Sequence, residues 1–353
     1  MYQEGKIDLY RLFIEKSVGL TCDKGVISFI TPNTFLSIKN CTKLRKFLLS
    51  ENSFVFIDSY DESIFEASVN NVIYQLLKGV HLDNININIH NSNGIKSYKL
   101  SVDNVLTDPT YQVMINADQE AFSIREHMTK HAILLDKIDG IEMCLGAQPY
   151  HNTIHTKEQM DQKFLHAGYK VNDNYVQDFG GKHFIKYIVN GNPKRWIDYS
   201  AEFYTKPDKR FFEGPRIVIR EIPAKTLVCA YVETFALFNK SVFNIRLSKE
   251  SINIKYLIAV LNSLAIGYYI SAFGDKSNQN LFPRISMKIL KNLPIPQATP
   301  AQQQLIIDLV DSILAKKKQN PQADTSVEES AIDKLVYQLY GLTEVEINLI
   351  EKE

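Results

Sequence analysis

The residues best suited to chemistry in this chain are cations set among aromatics. In the stretches KHFIKYIVNGNPKRWIDY and KPDKRFFEGPRIVIR, Lys182, Lys186, Lys194, Arg195, Lys206, Lys209, Arg210, Arg216 and Arg220 alternate with Phe, Tyr and the single tryptophan, Trp196. Ammonium and guanidinium groups neutralise phosphates, while aromatic faces stack on bases or pack beneath the cations. Residues 181–225 hold ten Lys/Arg against five Asp/Glu, and residues 273–300 hold four against one. The surroundings are acidic: three Lys/Arg against ten Asp/Glu over 51–120, and five against ten over 301–353. A formal net charge of zero therefore hides a basic middle, and local potential rather than the total steers a polyanion. Trp196, Phe203, Phe211 and Phe212 would also serve as core anchors with the cations as their polar rim. That plainer reading leaves the charge excess unexplained.

Other constellations carry less. His127/His131 and His151/His155 have the i,i+4 spacing of metal ligands on a helix, but neither pair has a third ligand or an H-E-x-x-H pattern. No metal site is expected. Asp58, Asp61 and Glu62 could hold a ribose or a metal, or form an ordinary acidic loop. The four cysteines (Cys22, Cys41, Cys144, Cys229) lack any C-x-x-C, so neither a disulfide framework nor a zinc ribbon is supported. There is no G-x-S-x-G, no Walker A loop and no G-x-G-x-x-G. No apolar run approaches the ~18–20 residues of a membrane span, and MYQEGKIDLY lacks the apolar core of a signal peptide. A soluble, cytoplasmic setting without membrane contact is the expectation. With 45% hydrophobic residues, 353 residues can bury substantial cores in two or three domains.

The elements that must position the basic middle follow from periodicity. Residues 7–20 have helical spacing; VISFIT (26–31) reads as a buried strand that Pro32-Asn33 ends. Residues 43–49 form a second helix, and FVFIDS (54–59) and VNNVIYQLLK (69–78) two further strands. ININIH (85–90) alternates with period two, as a half-exposed strand should. Helix returns over 118–139, residues 140–191 look irregular, and RIVIREI, TLVCAYVE and SVFNIRL are strands. Residues 255–273 read as one strongly apolar helix, LPIPQATP (293–300) as a linker, and the rest as helices, with a capping box at Thr343 and Glu346. The pattern predicts an α/β fold.

Four stretches in order, DLYRLFIEKSVGL, KGVISFITPNTFL, KLRKFLLSE and IFEASVNNVIYQLLK, resemble the second half of the catalytic domain of TaqI-like adenine-N6 DNA methyltransferases. Over 140–296, the segments GAQPYH, RWIDY, GPRIVIRE, LIAVLNSLAIGYY and KNLPIP are similar to that family's C-terminal target-recognition domain. IDKLVYQLYGLTEVEI is similar to tails of fused type II restriction–modification enzymes. The resemblance implies three parts: residues 1–118, the C-terminal half of a Rossmann-like methyltransferase sheet; 119–296, an α+β target-recognition domain; 297–353, a helical tail. It also implies that Phe65 stands where the family has an aromatic stacking on a flipped adenine, a role suited to a π-face.

The departures are equally informative. The family binds S-adenosylmethionine with a glycine-containing motif and catalyses with N-P-P-Y or N-P-P-F, and neither occurs: there is no Pro-Pro, and Asn-Pro occurs only at Asn192-Pro193 and Asn320-Pro321. The expectation is a chain that recognises double-stranded DNA, starts just after the catalytic motif, binds no cofactor and transfers no methyl group alone. S-adenosylmethionine would serve the complete enzyme, with the catalytic half in cis or in trans. Two rival expectations are a separate specificity subunit of a split enzyme and a non-enzymatic protein-interaction module.

Overall fold

The computed structural model describes residues 2, 8–60, 70–91, 94–115, 117–273 and 285–352. It divides the chain into two units, one formed by residues up to 124 with 270–273, the other by residues 125–269 with 285–352. It is a mixed α/β structure with several sheets and, among the described residues, eleven α-helices.

The first unit is built on a five-stranded sheet of β1 (Val26–Pro32), β2 (Asn52–Tyr60), β3 (Asn71–Lys78), β4 (Asn84–Asn91) and β5 (Gly94–Ser101), in the order β1-β3-β2-β4-β5. Strand β3 runs antiparallel to both β1 and β2, so those two run the same way on either side of it. Strand β4 is parallel to β2 and forms a hairpin with β5. Helices α1 (Leu9–Leu20) and α2 (Thr42–Ser50), with the short α3 (Val102–Leu106), accompany the sheet. Apolar side chains alternate inward: Ile27, Phe54, Ile57, Val72, Tyr74, Leu76, Ile85 and Ile87 meet Leu44 and Leu48 of α2 in one core. Strand β1 closes one end of the sheet, with β3 as its partner among the described residues.

Arg45 of α2 is an inward-facing cation. It is almost fully buried and donates to the carbonyls of Phe35, Ile38, Thr110 and Tyr111, tying α2 to two loops at once. Burial of a guanidinium is tolerated because its five donors can all find oxygens.

The boundary between units falls within α4 (Gln119–Lys130). Beyond it come β6 (Ala132–Leu134), β7 (Ile141–Leu145), α5 (Lys157–Gln162), β8 (His166–Ala167), β9 (Tyr175–Phe179), β10 (Trp196–Asp198), β11 (Arg216–Arg220), β12 (Cys229–Val232), β13 (Leu237–Phe238), β14 (Val242–Leu247) and β15 (Pro294–Pro296). Strands β12-β11-β14-β7 form an antiparallel sheet and β13-β9-β10-β8 a second one, β13 being parallel to β9. Residues 140–191, expected to be irregular, thus supply one strand to the first sheet and two to the second. Their polar composition hid strands too short for periodicity to reveal.

The apolar run 255–273 divides into α6 (Ile254–Asn262) and α7 (Leu264–Phe273), bent by 57°. Asn262 bonds both the N–H and the carbonyl of Cys229 in β12, and the Asp333 carboxylate takes the N–H of Leu264, starting a new helix. No single helix among the described residues is long and apolar enough to cross a membrane. The expected linker is also partly structured: β15 pairs with β6, and the carbonyls of Pro296 and Pro294 accept from Tyr256 and Tyr340. Proline is tolerated in a two-stranded ribbon because only one edge needs donors. Helices α8 (Met287–Lys291), α9 (Pro300–Gln319), α10 (Ser326–Tyr340) and α11 (Glu344–Lys352) complete the unit, the last opened by the Thr343/Glu346 capping box.

Candidate nucleic-acid interface

A concavity of about 1160 Å³ in the second unit is lined by Lys163, Lys182, Lys194, Arg195 and Arg220 against the carboxylates of Asp178 and Glu221. Three loops bring these together. Lys163 ends α5 in a left-handed conformation (φ 50), Lys182 sits in the turn after β9, and Lys194 and Arg195 lead into β10. The turn after β9 is closely packed at its two glycines: a Cβ on Gly180 would lie 2.8 Å from Nδ2 of Asn239, and one on Gly181 3.0 Å from Cγ of Arg220, so either side chain would have to shift.

Arg220 holds that turn rather than reaching freely into the groove. Its Nε donates to the Gly181 carbonyl at 2.9 Å and its Nη2 to the Phe184 carbonyl at 2.7 Å, and burial draws its pKa down. His183, one turn residue away, accepts from the Gly180 N–H through Nδ1 at 2.9 Å. Burial and the neighbouring Lys182 lower its pKa, so its neutral form is favoured.

Behind the groove runs a chain of polar groups. The Tyr150 hydroxyl accepts from the Leu165 N–H at 2.9 Å and lies 2.8 Å from Nδ1 of His166. The His166 Nε2 meets Oδ2 of Asp178 at 3.1 Å, and the same oxygen accepts from Nη2 of Arg195. The side chains of His166 and Asp178 are 8% and 4% exposed, whereas that of Arg195 is 44% exposed. Burial raises the pKa of Tyr150 and keeps its phenol protonated.

The sequence-predicted cations therefore separate. Lys182, Lys194, Arg195 and Arg220 gather at the groove. Lys186 instead donates to the Asn262 carbonyl and pairs with Glu329 of α10. Lys206 caps the Tyr199 and Ala201 carbonyls and lies over the rings of Tyr199 and Phe203. Lys209 pairs with Glu213, and Arg210 with Glu142 and Asp208, all at the surface away from the groove lining. Trp196 is half-buried in β10 between Ala167 and Gln177.

Arg216 requires a correction. It is fully buried in β11, its Nη1 and Nη2 bonded to the carbonyls of Gly214, Thr234 and Ala236, and burial lowers its pKa to about 10. The role of an exposed DNA contact does not fit such a position. Phe65, Asp61 and Glu62 lie outside the described residues, as do Lys276 and Arg284; Lys288 and Lys291 belong to α8.

Sequence reasoning missed Lys163, His166, Asp178 and His183. Tyr150 was visible in GAQPYH, but nothing in the spacing joined it to residues 16 and 28 positions later. His151 bonds Thr153 and stacks on Tyr204, and His127 bonds Glu346; among the described residues no group of three or more His, Cys, Asp or Glu could hold a metal ion.

The chain that carries this basic groove matches a known class over residues 177–295, the TaqI-like C-terminal specificity domain, and residues 1–65 match the Eco57I restriction-modification methylase. The two matches, in this order, bear out the resemblance seen in the sequence. Among individual proteins, the chain is similar to the type II methyltransferase M.HincII of Haemophilus influenzae, with 32% identity over 185 residues, 50% of this chain and 34% of that protein. The type II methyltransferase M.HindII of Haemophilus influenzae (strain ATCC 51907 / DSM 11121 / KW20 / Rd) is 41% identical over 100 residues, 28% of this chain and 19% of that protein. The matched stretches thus span about a third or less of these relatives. The fold is shared with the type IIL restriction-modification enzyme MmeI, solved in complex with DNA, at a TM-score of 0.56 and 14% identity, covering 98% of this chain and 52% of that one.

Proposed function

We propose that this chain recognises a short double-stranded DNA sequence for an adenine-N6 methyltransferase of a restriction–modification system. The groove of Lys163, Lys182, Lys194 and Arg195 carries the reading, because it concentrates exposed cations around a preformed concavity. Phosphates would neutralise the lysines, and base edges would be read by guanidinium and amide groups. The match of residues 177–295 to a specificity domain supports the same assignment.

Residues 1–118 are read as the C-terminal half of a methyltransferase sheet. The support is the reversed strand β3 lying between β1 and β2, which is how the family's final antiparallel hairpin would fit. Residues 119–296 would be the recognition domain and 297–353 a helical tail. Phe65 keeps its proposed place against the extruded adenine.

The described residues offer no Asn-Pro pair that would hold an adenine amine for methyl transfer. Asn192-Pro193 lies at the groove and Asn320 caps the end of α9, so neither Asn-Pro pair stands at the end of a strand where an adenine amine could be held beside a methyl donor. Donor binding and methyl transfer would come from a catalytic part in cis or in trans, and this chain alone should transfer no methyl group. Fluorescence anisotropy with duplex DNA tests the reading. Binding that weakens steeply with salt supports it, and no binding at 50 mM salt would promote the protein-interaction alternative.

A further inference from the structure

We propose that Arg195 is the principal base-reading side chain of the groove and that Asp178, His166 and Tyr150 are its positioning residues, a relay that fixes which base it accepts. The proposal rests on the DNA-recognition reading and names the group that gives it sequence preference.

The argument begins with Asp178. It is a buried carboxylate in β9, and its Oδ2 receives two donors, Nη2 of Arg195 and Nε2 of His166. Burial of a carboxylate carries a large desolvation cost unless charge and hydrogen bonds offset it, so the pair is held tightly. The backbone clamps the same two residues, because the Asp178 N–H donates to the Arg195 carbonyl at 3.0 Å. Arg195 is thus pinned at both ends of its side chain.

His166 makes the arrangement directional. The Asp178 carboxylate only accepts, so Nε2 of His166 carries the proton of that contact. On the other side of the ring, Nδ1 faces the Tyr150 oxygen, which also accepts from the Leu165 N–H. The ring is thus held from both sides, and the exposed end of the relay is the guanidinium.

A guanidinium with one N–H committed to Asp178 keeps four donors, enough for a bidentate contact to guanine O6 and N7. A flexible arginine would give up rotamer freedom on forming that contact, and this one has already lost it. Lys163, Lys182 and Lys194 have no such scaffold behind them; they act as point charges for phosphates. The relay therefore separates one specifying cation from three positioning ones.

The test is selection of binding sites from a random duplex pool with the full chain, comparing wild type, Arg195→Lys, Asp178→Asn and Tyr150→Phe. Wild type is expected to select a motif with a guanine at one position. In Arg195→Lys and Asp178→Asn the preference for that guanine should fall about tenfold or more, with other positions unchanged. Affinity for unselected duplex should stay within about twofold in Arg195→Lys, since charge is kept, and hold or tighten in Asp178→Asn, where a carboxylate is removed. A purely structural Asp178 would instead lower all binding together. Should Asp178→Asn fail to fold, Tyr150→Phe, which removes only the hydroxyl, is judged by the same single-position loss. A selected motif that both folded variants read unchanged at every position overturns the relay and leaves DNA recognition standing. A wild-type chain that selects no motif overturns the recognition reading and the relay with it.

Discussion

Arg195 and Arg216 stand in the same basic stretch, yet Arg195 opens onto the groove from a buried carboxylate, while Arg216 is wholly enclosed by three backbone carbonyls. One is placed to meet a ligand and the other to close a fold. Their separation makes the local charge excess a sum of two kinds of cation, and only one kind can contribute to binding.

Arg216→Met should destabilise the second unit by roughly 2–4 kcal/mol. The substitution leaves the Gly214, Thr234 and Ala236 carbonyls without their donor, although it also removes the cost of a buried charge. Urea unfolding followed by near-ultraviolet circular dichroism measures it. The folded fraction should bind DNA with an unchanged salt dependence; a reduced salt slope would return Arg216 to the interface.

Charge substitution at the groove should do the reverse. With about four phosphate contacts, log affinity should fall with log salt at a slope near −3.6, or roughly a hundredfold between 50 and 200 mM. A Lys163→Ala/Lys182→Ala/Lys194→Ala variant should flatten that slope by two to three, while Lys209→Ala/Arg210→Ala, whose partners are Glu213, Glu142 and Asp208, should change it by less than one. An equal effect of the two variants would mean that the groove is not where DNA lies.

Periodicity made β1 through β4, β11, β12 and β14 legible, since each has enough residues for its apolar face to show. It did not show β8, β13 or β15, which have only two or three residues and depend on partners distant in sequence. The break at Ser263 was illegible for a related reason: the groups that end α6 and begin α7, Cys229 and Asp333, lie 33 and 69 positions from the residues they bond. For the site, residue type could not separate the cations that line the groove, Lys182, Lys194, Arg195 and Arg220, from those engaged elsewhere, nor Arg195 from Arg216. The deciding features are the buried Asp178 and the backbone carbonyls, and neither leaves a trace in spacing.

Cysteine reactivity offers a check on burial that is independent of ligand. Cys22 is exposed, whereas Cys41 and Cys229 are buried, and burial pushes the half-buried Cys144 thiol up to about 12. Alkylation proceeds through the thiolate. Iodoacetamide at pH 7.5 should therefore modify Cys22 at least tenfold faster than the other three, read by peptide mass spectrometry. Equal labelling of Cys144 under native conditions would contradict the packing of β7.

The last prediction concerns acid. Asp333 of α10 caps the start of α7 through the Leu264 N–H, with Lys186, Glu329 and Glu351 close by. Burial is the main cause that raises its pKa from 3.8 to about 6; Glu329 and Glu351 push the same way, and the Leu264 bond and Lys186 pull back. The folded chain therefore holds this proton more tightly than the unfolded chain, so its stability rises as pH falls from about 6 toward about 4 and is lowest, for this group, above pH 6. Asp333→Asn keeps an oxygen for Leu264 and removes the titration. At pH 7 the variant should match or exceed wild type by on the order of 1–3 kcal/mol, and between pH 7 and pH 5 that difference should shrink by roughly 1 kcal/mol. Urea unfolding at the two pH values measures it. A variant less stable than wild type at pH 7, or a difference independent of pH, would show that the charged carboxylate, with Lys186, contributes more than its burial costs.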